Sequence, residues 1–335
     1  MAGSRSSHCV RILFGSVAIG CAMWSATTAA QQPYPNRLTK LIVPAAAGGP
    51  LDIYARAITD KLSVNLRQPF LIENRPGAGG NLGTEALAKA APDGHTLGMV
   101  LGTTLTANPN LYKKLPFDPD KSFRPISIVT RGGNMLVVHP SVPVNSVAEF
   151  VAFAKAAAAK KEPITYASAG GPGSPGHLVM ENFRVHAGFE AIHVPYRGNP
   201  AMVTDLVAGQ VKAAFITSAG MMDHVHAGRL KPIGVSHAGR SPLAPDVPTI
   251  DESGYPGFRV ENYNVMLAPA GITEPIAALL ERELVAVLKL PDVTERLRAM
   301  DAAPAGIIGA ELLARINADR AAWARVIAAA NLRLE

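Results

Sequence analysis

Along the chain, short unbroken apolar runs alternate with longer stretches in which apolar side chains recur every three or four residues. Leu38–Val43 opens the series, and Ile53, Ala57, Ile58 and Leu62 follow it at helical spacing. On this pattern strands are expected at Leu38–Val43, Phe70–Glu73, Thr96–Leu101, Ile126–Thr130, Met135–His139, Ile164–Ala167, Ile192–Val194, Ala213–Thr217, Ile233–Val235 and Val265–Ala268. Helices are expected at Pro50–Leu62, Leu82–Ala90, Val147–Ala159, Leu178–His186, Ala201–Val207, Met221–Ala227, Pro275–Leu288, Val293–Met300 and Ala310–Ala329. Ser146 is placed to cap the helix that begins at Val147. Strands alternating with helices imply an α/β fold with parallel sheets. The alternation breaks at Arg131-Gly132-Gly133-Asn134 and again at Gly254-Tyr255-Pro256-Gly257. Two breaks predict a discontinuous first domain, residues 31–130 with 257–335, and an inserted second domain, 131–256. The crevice between them would collect the strand-to-helix loops, where open α/β sheets bind ligands.

Three of those loops are rich in glycine. The first, Val43 to Asp52, sets Gly48, Gly49 and Pro50 between a strand and a helix. Glycine admits close backbone approach, proline suits the first helical position, and the helix start offers unpaired N–H groups. Together these make an anion cradle. The second, Asn74 to Gly83, falls short of a dinucleotide fingerprint, because its third glycine stands at 83 and Leu82 fills the required place. The third, Ser168 to His177, contains Ser174, but a nucleophile elbow needs glycine two residues earlier, and that residue is Pro172. Ser168 and Ser174 suit neutral hydrogen-bond donation better than nucleophilic attack. His177 at a helix start reads as an orienting residue. Tyr196-Arg197-Gly198 after the strand Ile192–Val194 could bring a phenol and a cation to the crevice, or be solvated surface.

Composition narrows the partners. Arg5 and Arg11, the apolar stretch Ile12–Trp24 and the small residues Ser25–Ala30 have the layout of a secretory leader, residues 1–30, cleaved after Ala30. Lipidation at Cys21 is the alternative. Both cysteines, Cys9 and Cys21, lie in that leader, so the mature chain would hold no disulfide, thiolate or cysteine metal site. The net charge is +6, and removing the two leader arginines leaves +4. That mild excess suits a small anion, and no dense basic run with interleaved aromatics argues for nucleic acid. His224 and His226 are two apart, off one helix face, so no metal site is expected. No cofactor is expected either.

The chain resembles the Bug (TctC-like) family of extracytoplasmic solute-binding proteins. The likeness rests on Pro44 through Gly48-Gly49 to Asp52, Glu73-Asn74-Arg75-Pro76-Gly77-Ala78-Gly79-Gly80-Asn81, Pro92-Asp93-Gly94-His95-Thr96, and Gly173-Ser174 with His177-Leu178. It continues in Val194-Pro195-Tyr196-Arg197-Gly198, Asp246-Val247-Pro248-Thr249 and Ala268-Pro269-Ala270-Gly271. The resemblance implies a non-catalytic, monomeric periplasmic binding protein of the two-domain Venus-flytrap type, with parallel or mixed sheets. It would capture a small carboxylate for the permease subunits of a tripartite tricarboxylate transporter. A sensor that presents its closed form to a kinase is the alternative, and a secreted serine hydrolase a weaker one. Ligand-binding candidates are Ala47, Gly48, Gly49 and Asp52; Gly79, Asn81 and Thr103; Ser168, Gly173, Ser174 and His177; and Tyr196, Arg197, Gly198 and Ser218. Three positions depart from the family's habit: Ala45 for an aromatic, Tyr263 for tryptophan, and Arg131 in a segment usually more apolar. Ala45 would enlarge the site, and Arg131 or Arg197 could pair with a second acidic group on the ligand.

Overall fold

Eleven strands form two sheets, in a computed structural model that describes residues 34–218 and 221–334. The expected leader, residues 1–30, lies outside the described residues. The strands are β1 Thr39–Val43, β2 Phe70–Asn74, β3 Thr96–Leu101, β4 Phe123–Gly132, β5 Met135–Val138 and β6 Ile164–Ala169. They continue with β7 Ala191–Tyr196, β8 Ala213–Ile216, β9 Lys231–Val235, β10 Asn262–Pro269 and β11 Ala303–Ile307. The helices are α1 Pro50–Leu66, α2 Asn81–Ala88, α3 Gly102–Thr106, α4 Asn108–Leu111, α5 Val147–Ala159 and α6 Pro175–Ala187. After them come α7 Asn199–Val207, α8 Met222–His226, α9 Glu274–Leu288, α10 Pro291–Arg298 and α11 Gly309–Ala329. Among the described residues no helix is long and apolar enough to cross a membrane.

One sheet has six strands in the order β11-β4-β10-β3-β1-β2, and the other has five, in the order β7-β6-β8-β5-β9. Both are mixed, where helix–strand alternation alone predicts parallel pairing. β1 runs parallel to β2 and β3, and β6 parallel to β7 and β8. β10 is antiparallel to β3 and β4, and β5 is antiparallel to β8 and β9. The exceptions follow from chain path. β4 passes directly into β5, and β9 returns to β10, so the chain changes sheet there without a helical crossover to restore direction.

Burial on both faces explains why the strands read as apolar runs. In β1, Leu41 and Val43 join one core and Ile42 the opposite one. In β5, Leu136 and Val138 face one core while Met135 and Val137 face another. α5 is capped as expected: Ser146 Oγ accepts the Glu149 N–H at 3.2 Å. α6, the helix behind the third glycine loop, is anchored by Phe183, a fully buried ring in edge contact with Phe189, Phe215, Tyr255 and Phe258. A ring so enclosed contributes about 3–5 kcal/mol.

Candidate functional site

Strand-end loops from both sheets meet around a cavity of about 150 Å³. Three helix N-termini line it: Gly49-Pro50-Leu51 of α1, Ser174-Pro175-Gly176 of α6 and Gly198-Asn199-Pro200 of α7. Each of these helices has proline in its first two positions, and none has a side chain capping its first turn. First-turn N–H groups have no intrahelical partner, and the helix dipole adds positive potential there. Among the described residues Arg197 is the one charged side chain on the lining, and it is exposed. None of the described residues brings a carboxylate to the cavity. Leu51, Leu101, Met202, Phe215 and Ile216 supply an apolar surround. The chemistry available is therefore binding of an anion with a short apolar body.

Close backbone approach builds the site. A Cβ on Gly176 would stand 2.5 Å from the Phe215 carbonyl oxygen of β8, so only glycine lets α6 start so near the sheet. Gly79, at φ +61°, comes so close to the third loop that a Cβ would stand 3.0 Å from the Pro172 carbonyl oxygen. Tyr112 donates to that same oxygen at 3.0 Å.

The sequence-derived candidates divide into those on the cavity wall and those behind it. Gly49, Gly79, Ser174, Arg197 and Gly198 line the cavity. Ser174 is 1% exposed and its Oγ makes no hydrogen bond among the described residues. Asp52 stands behind the first loop. Its carboxylate accepts the Gly48 N–H at 2.9 Å, the Asn74 amide at 3.0 Å and Arg56 at 2.9 and 3.0 Å. Burial opposes its charge, but the hydrogen bonds from Arg56, Gly48 and Asn74 together outweigh burial and hold the carboxyl below its ordinary range. Asn81 Oδ1 accepts from Asn108 at 2.7 Å beneath the second loop.

The third loop rests on rings. His177 Nδ1 accepts the Gly173 N–H at 3.2 Å, and His177 lies 4.2 Å, centroid to centroid, from His193, which in turn stacks on Tyr166. Ser168 shares a 2.7 Å hydrogen bond with His193 Nε2. Burial pushes both imidazoles down to about 4; Arg184 adds to this at His177, and His177 adds to it at His193. Tyr166 donates to Glu181 at 2.7 Å, and Arg184 grips the other oxygen of that carboxylate. Neither Ser168 nor His193 lines the cavity, and among the described residues Ser174 Oγ has no hydrogen-bond partner, so neither serine is set up as a nucleophile there.

Tyr196 donates to Asp205 at 2.7 Å; burial first, then that carboxylate, pushes its phenol up to about 12. Ser218 donates to Asp301 at 2.6 Å, and with Gly48 lines a second, larger hollow. Thr103 lines a narrow recess beside Tyr263 and Trp323. Ala47 is exposed in the first loop and lines none of these spaces. Of the three departures from the family's habit, Ala45 lines the cavity. Tyr263 packs against Gly102, and Arg131 lines a separate hollow of about 400 Å³ with its Nε 4.0 Å from Glu261.

Sequence reasoning missed Asn134. It sits between β4 and β5, lines the cavity and is 2% exposed. Its one signal was its place in the first break of the pattern. Among the described residues no group of three or more His, Cys, Asp or Glu is placed to hold a metal ion.

The fold and this cavity define a solute-binding protein. Residues 54–332 match the model of the tripartite tricarboxylate transporter family receptor, TctC, and the chain belongs to that family. A Rhodopseudomonas palustris protein solved with adipate is 31% identical, covers 90% of this chain and 99% of its own, and has a TM-score of 0.83. The periplasmic binding protein BugD matches at 31% identity and TM-score 0.83, over 90% of this chain and all of its own. MatC from Rhodopseudomonas palustris, solved with malate, matches at 31% identity and TM-score 0.80, over 88% of this chain and all of its own. As a member of this receptor family, similar to the periplasmic binding protein BugD, the chain is a binding protein, not an enzyme.

Proposed function

We propose that the chain captures a small carboxylate in the periplasm and delivers it to the permease subunits of a tripartite tricarboxylate-type transporter. The observation that carries the reading is the convergence of three uncapped helix N-termini on a cavity to which no described residue contributes a carboxylate. A bound carboxylate would take up those N–H groups and the Ser174 hydroxyl. Adipate and malate in two similar proteins support this ligand class. In this reading the two sheets with their helices are lobes, 31–130 with 257–335 and 131–256, which close on the solute. Gly49, Gly79, Ser174, Arg197 and Gly198 contact it, while Asp52, Asn81, Ser168, Gly173, His177 and Tyr196 hold the loops in place. The protein acts as a monomer exported by a cleaved leader.

The test is native mass spectrometry of protein taken from its own periplasm, followed by a thermal-shift screen of mono-, di- and tricarboxylates. A bound acid, and a raised melting point with that acid, are expected. If no acid raises the melting point, the carboxylate reading fails.

A further inference from the structure

Asp301 puts a carboxylate where the local backbone favours none. It follows α10, and the turn that ends this helix is closed by two bonds. The Ala302 N–H donates to the Leu297 carbonyl at 3.0 Å, and the Asp301 N–H donates to the Arg298 carbonyl at 2.9 Å. That pair of bonds is the Schellman ending, and Asp301 stands at its left-handed position with φ +56°. Glycine is the usual residue there, because a Cβ is strained at positive φ. A helix C-terminus also carries the negative end of the dipole, which disfavours a carboxylate. Backbone and electrostatics both favour another residue, so the reason for aspartate is to be sought in what its side chain holds.

One oxygen, Asp301 Oδ2, accepts the Ser218 hydroxyl at 2.6 Å and the Ser241 hydroxyl at 2.7 Å. Both serines are buried, and distances this short fit hydrogen bonds to an ionised carboxylate. Ser218 follows β8 and Ser241 follows β9, two strands of the five-stranded sheet, whereas Asp301 stands between α10 and β11 of the six-stranded one. The carboxylate therefore ties loops of one sheet to a loop of the other. Its backbone leans on the place where the chain crosses between them. A Cβ on Gly132, the last residue of β4, would stand 2.7 Å from the Asp301 carbonyl oxygen. Away from the two crossing segments, one other hydrogen bond joins the two sheets' loops among the described residues, from Tyr112 to the Pro172 carbonyl, and it is neutral.

We propose that Asp301 is a clasp between the lobes, which fixes the angle at which they meet by holding Ser218 and Ser241 on a single carboxylate oxygen. This rests on the two-lobe part of the reading above and not on the class of solute. The clasp is made in the arrangement that brings the starts of α1, α6 and α7 to one cavity, so it favours that arrangement over those in which the lobes stand apart. A receptor whose competent arrangement is less populated binds its solute more weakly in the same proportion. Asparagine at this position would still accept the hydroxyls, but more weakly, because the bonds would lose their charge.

Electron–electron distance measurement between two spin labels tests it in the solute-free protein. Residues 31–335 contain no cysteine, so Val64→Cys on α1 and Lys160→Cys after α5 place one label on each lobe, both at exposed positions. The otherwise unchanged chain is expected to give one narrow distance. Asp301→Gly, which suits the left-handed backbone, should broaden it and add a longer component, and so should Ser218→Ala with Ser241→Ala. Combining all three should add nothing further, because they break one contact. Asp301→Asn should fall between. In calorimetry with adipate and malate as probes, Asp301→Gly should weaken whichever acid binds by about tenfold. An unchanged distance distribution in folded Asp301→Gly overturns the clasp. So does a lowered melting temperature with distances unchanged, which would mark a merely local role. Should Asp301→Gly fail to fold, Asp301→Asn and the serine double variant carry the same comparison. If neither acid nor any other carboxylate binds the wild type, the carboxylate reading fails, and the solute-free distances still decide the clasp.

Discussion

At the loop ahead of α1, a buried carboxylate gathers the Gly48 N–H, the Asn74 amide and the Arg56 guanidinium, and the loop is held by charge. At the loop ahead of α6, the same task falls to neutral rings. His177 accepts the Gly173 N–H, His193 bonds Ser168, and the pair lies against Tyr166. The two loops line one cavity, and both present an uncapped helix start to it. The difference teaches what an anion site tolerates behind its wall. Asp52 is allowed there because Arg56 offsets its charge at hydrogen-bonding distance. The histidines are allowed because burial keeps them uncharged. Neither wall presents a net charge that would compete with the solute.

The heaviest blow to this comparison is Phe183→Ala, which removes the ring that seats α6. A loss of about 3–5 kcal/mol in urea unfolding is expected. Solute affinity should fall with it, since the third loop loses its backing while the first is untouched.

The pH dependence of the two walls should separate next. His177 titrates near 4 in the folded chain against 6.5 in the unfolded one, with burial as the main cause. Its contribution is complete above about pH 6.5 and is lost as pH falls toward 4, because the unfolded chain takes up the proton first. That amounts to roughly 3 kcal/mol. The Asp52 carboxyl is shifted below its ordinary value of 3.8, so its contribution stays whole through that window and is lost only at lower pH. Urea unfolding from pH 7.5 to 4 should therefore show a slope that His177→Gln reduces by about half, His193 supplying a comparable share in the same window, and that Asp52→Asn leaves in place. A slope unaffected by His177→Gln would refute the neutral-ring account.

Two serines in the third loop sharpen the contrast. Ser168→Ala breaks the bond to His193 and should cost about 1 kcal/mol of stability. Ser174→Ala removes a hydroxyl with no partner, so stability should stay within about 0.5 kcal/mol while solute affinity drops around tenfold. Equal effects from both would mean the structure has the wall and its backing confused.

The smallest expected effect concerns the arginines. Arg197 is exposed on the cavity wall, and Arg197→Ala should weaken binding by severalfold, less at high salt. Arg131 lines a different hollow, and Arg131→Ala should leave affinity unchanged.

Much of this arrangement was legible in the sequence. Alternating apolar runs gave ten of the eleven strands, and Gly48-Gly49 and Ser174 were marked by their place between strand and helix. β11 escaped because Ala303-Pro304-Ala305-Gly306-Ile307 has neither an apolar run nor a clear alternation, and it pairs only along the edge of β4. α3 and α4 escaped because five and four residues are too few to show a period. Asp52 and His177 entered the ligand set through the family resemblance, although the residues alone already made His177 an orienting residue. Chain proximity does not say on which side of the loop a side chain lies, and both turned back to hold it. Asn134 was invisible as a site residue. Its place on the cavity wall depends on Ser236, about a hundred positions on, and on two sheets meeting where the chain crosses.

The most direct test of the central claim is a crystal structure of the protein with its tightest-binding acid. A solute carboxylate is expected within hydrogen-bonding distance of Ser174 Oγ and of first-turn N–H groups from at least two of α1, α6 and α7. A carboxylate held outside this cavity, or held there only by Arg197, would contradict the account.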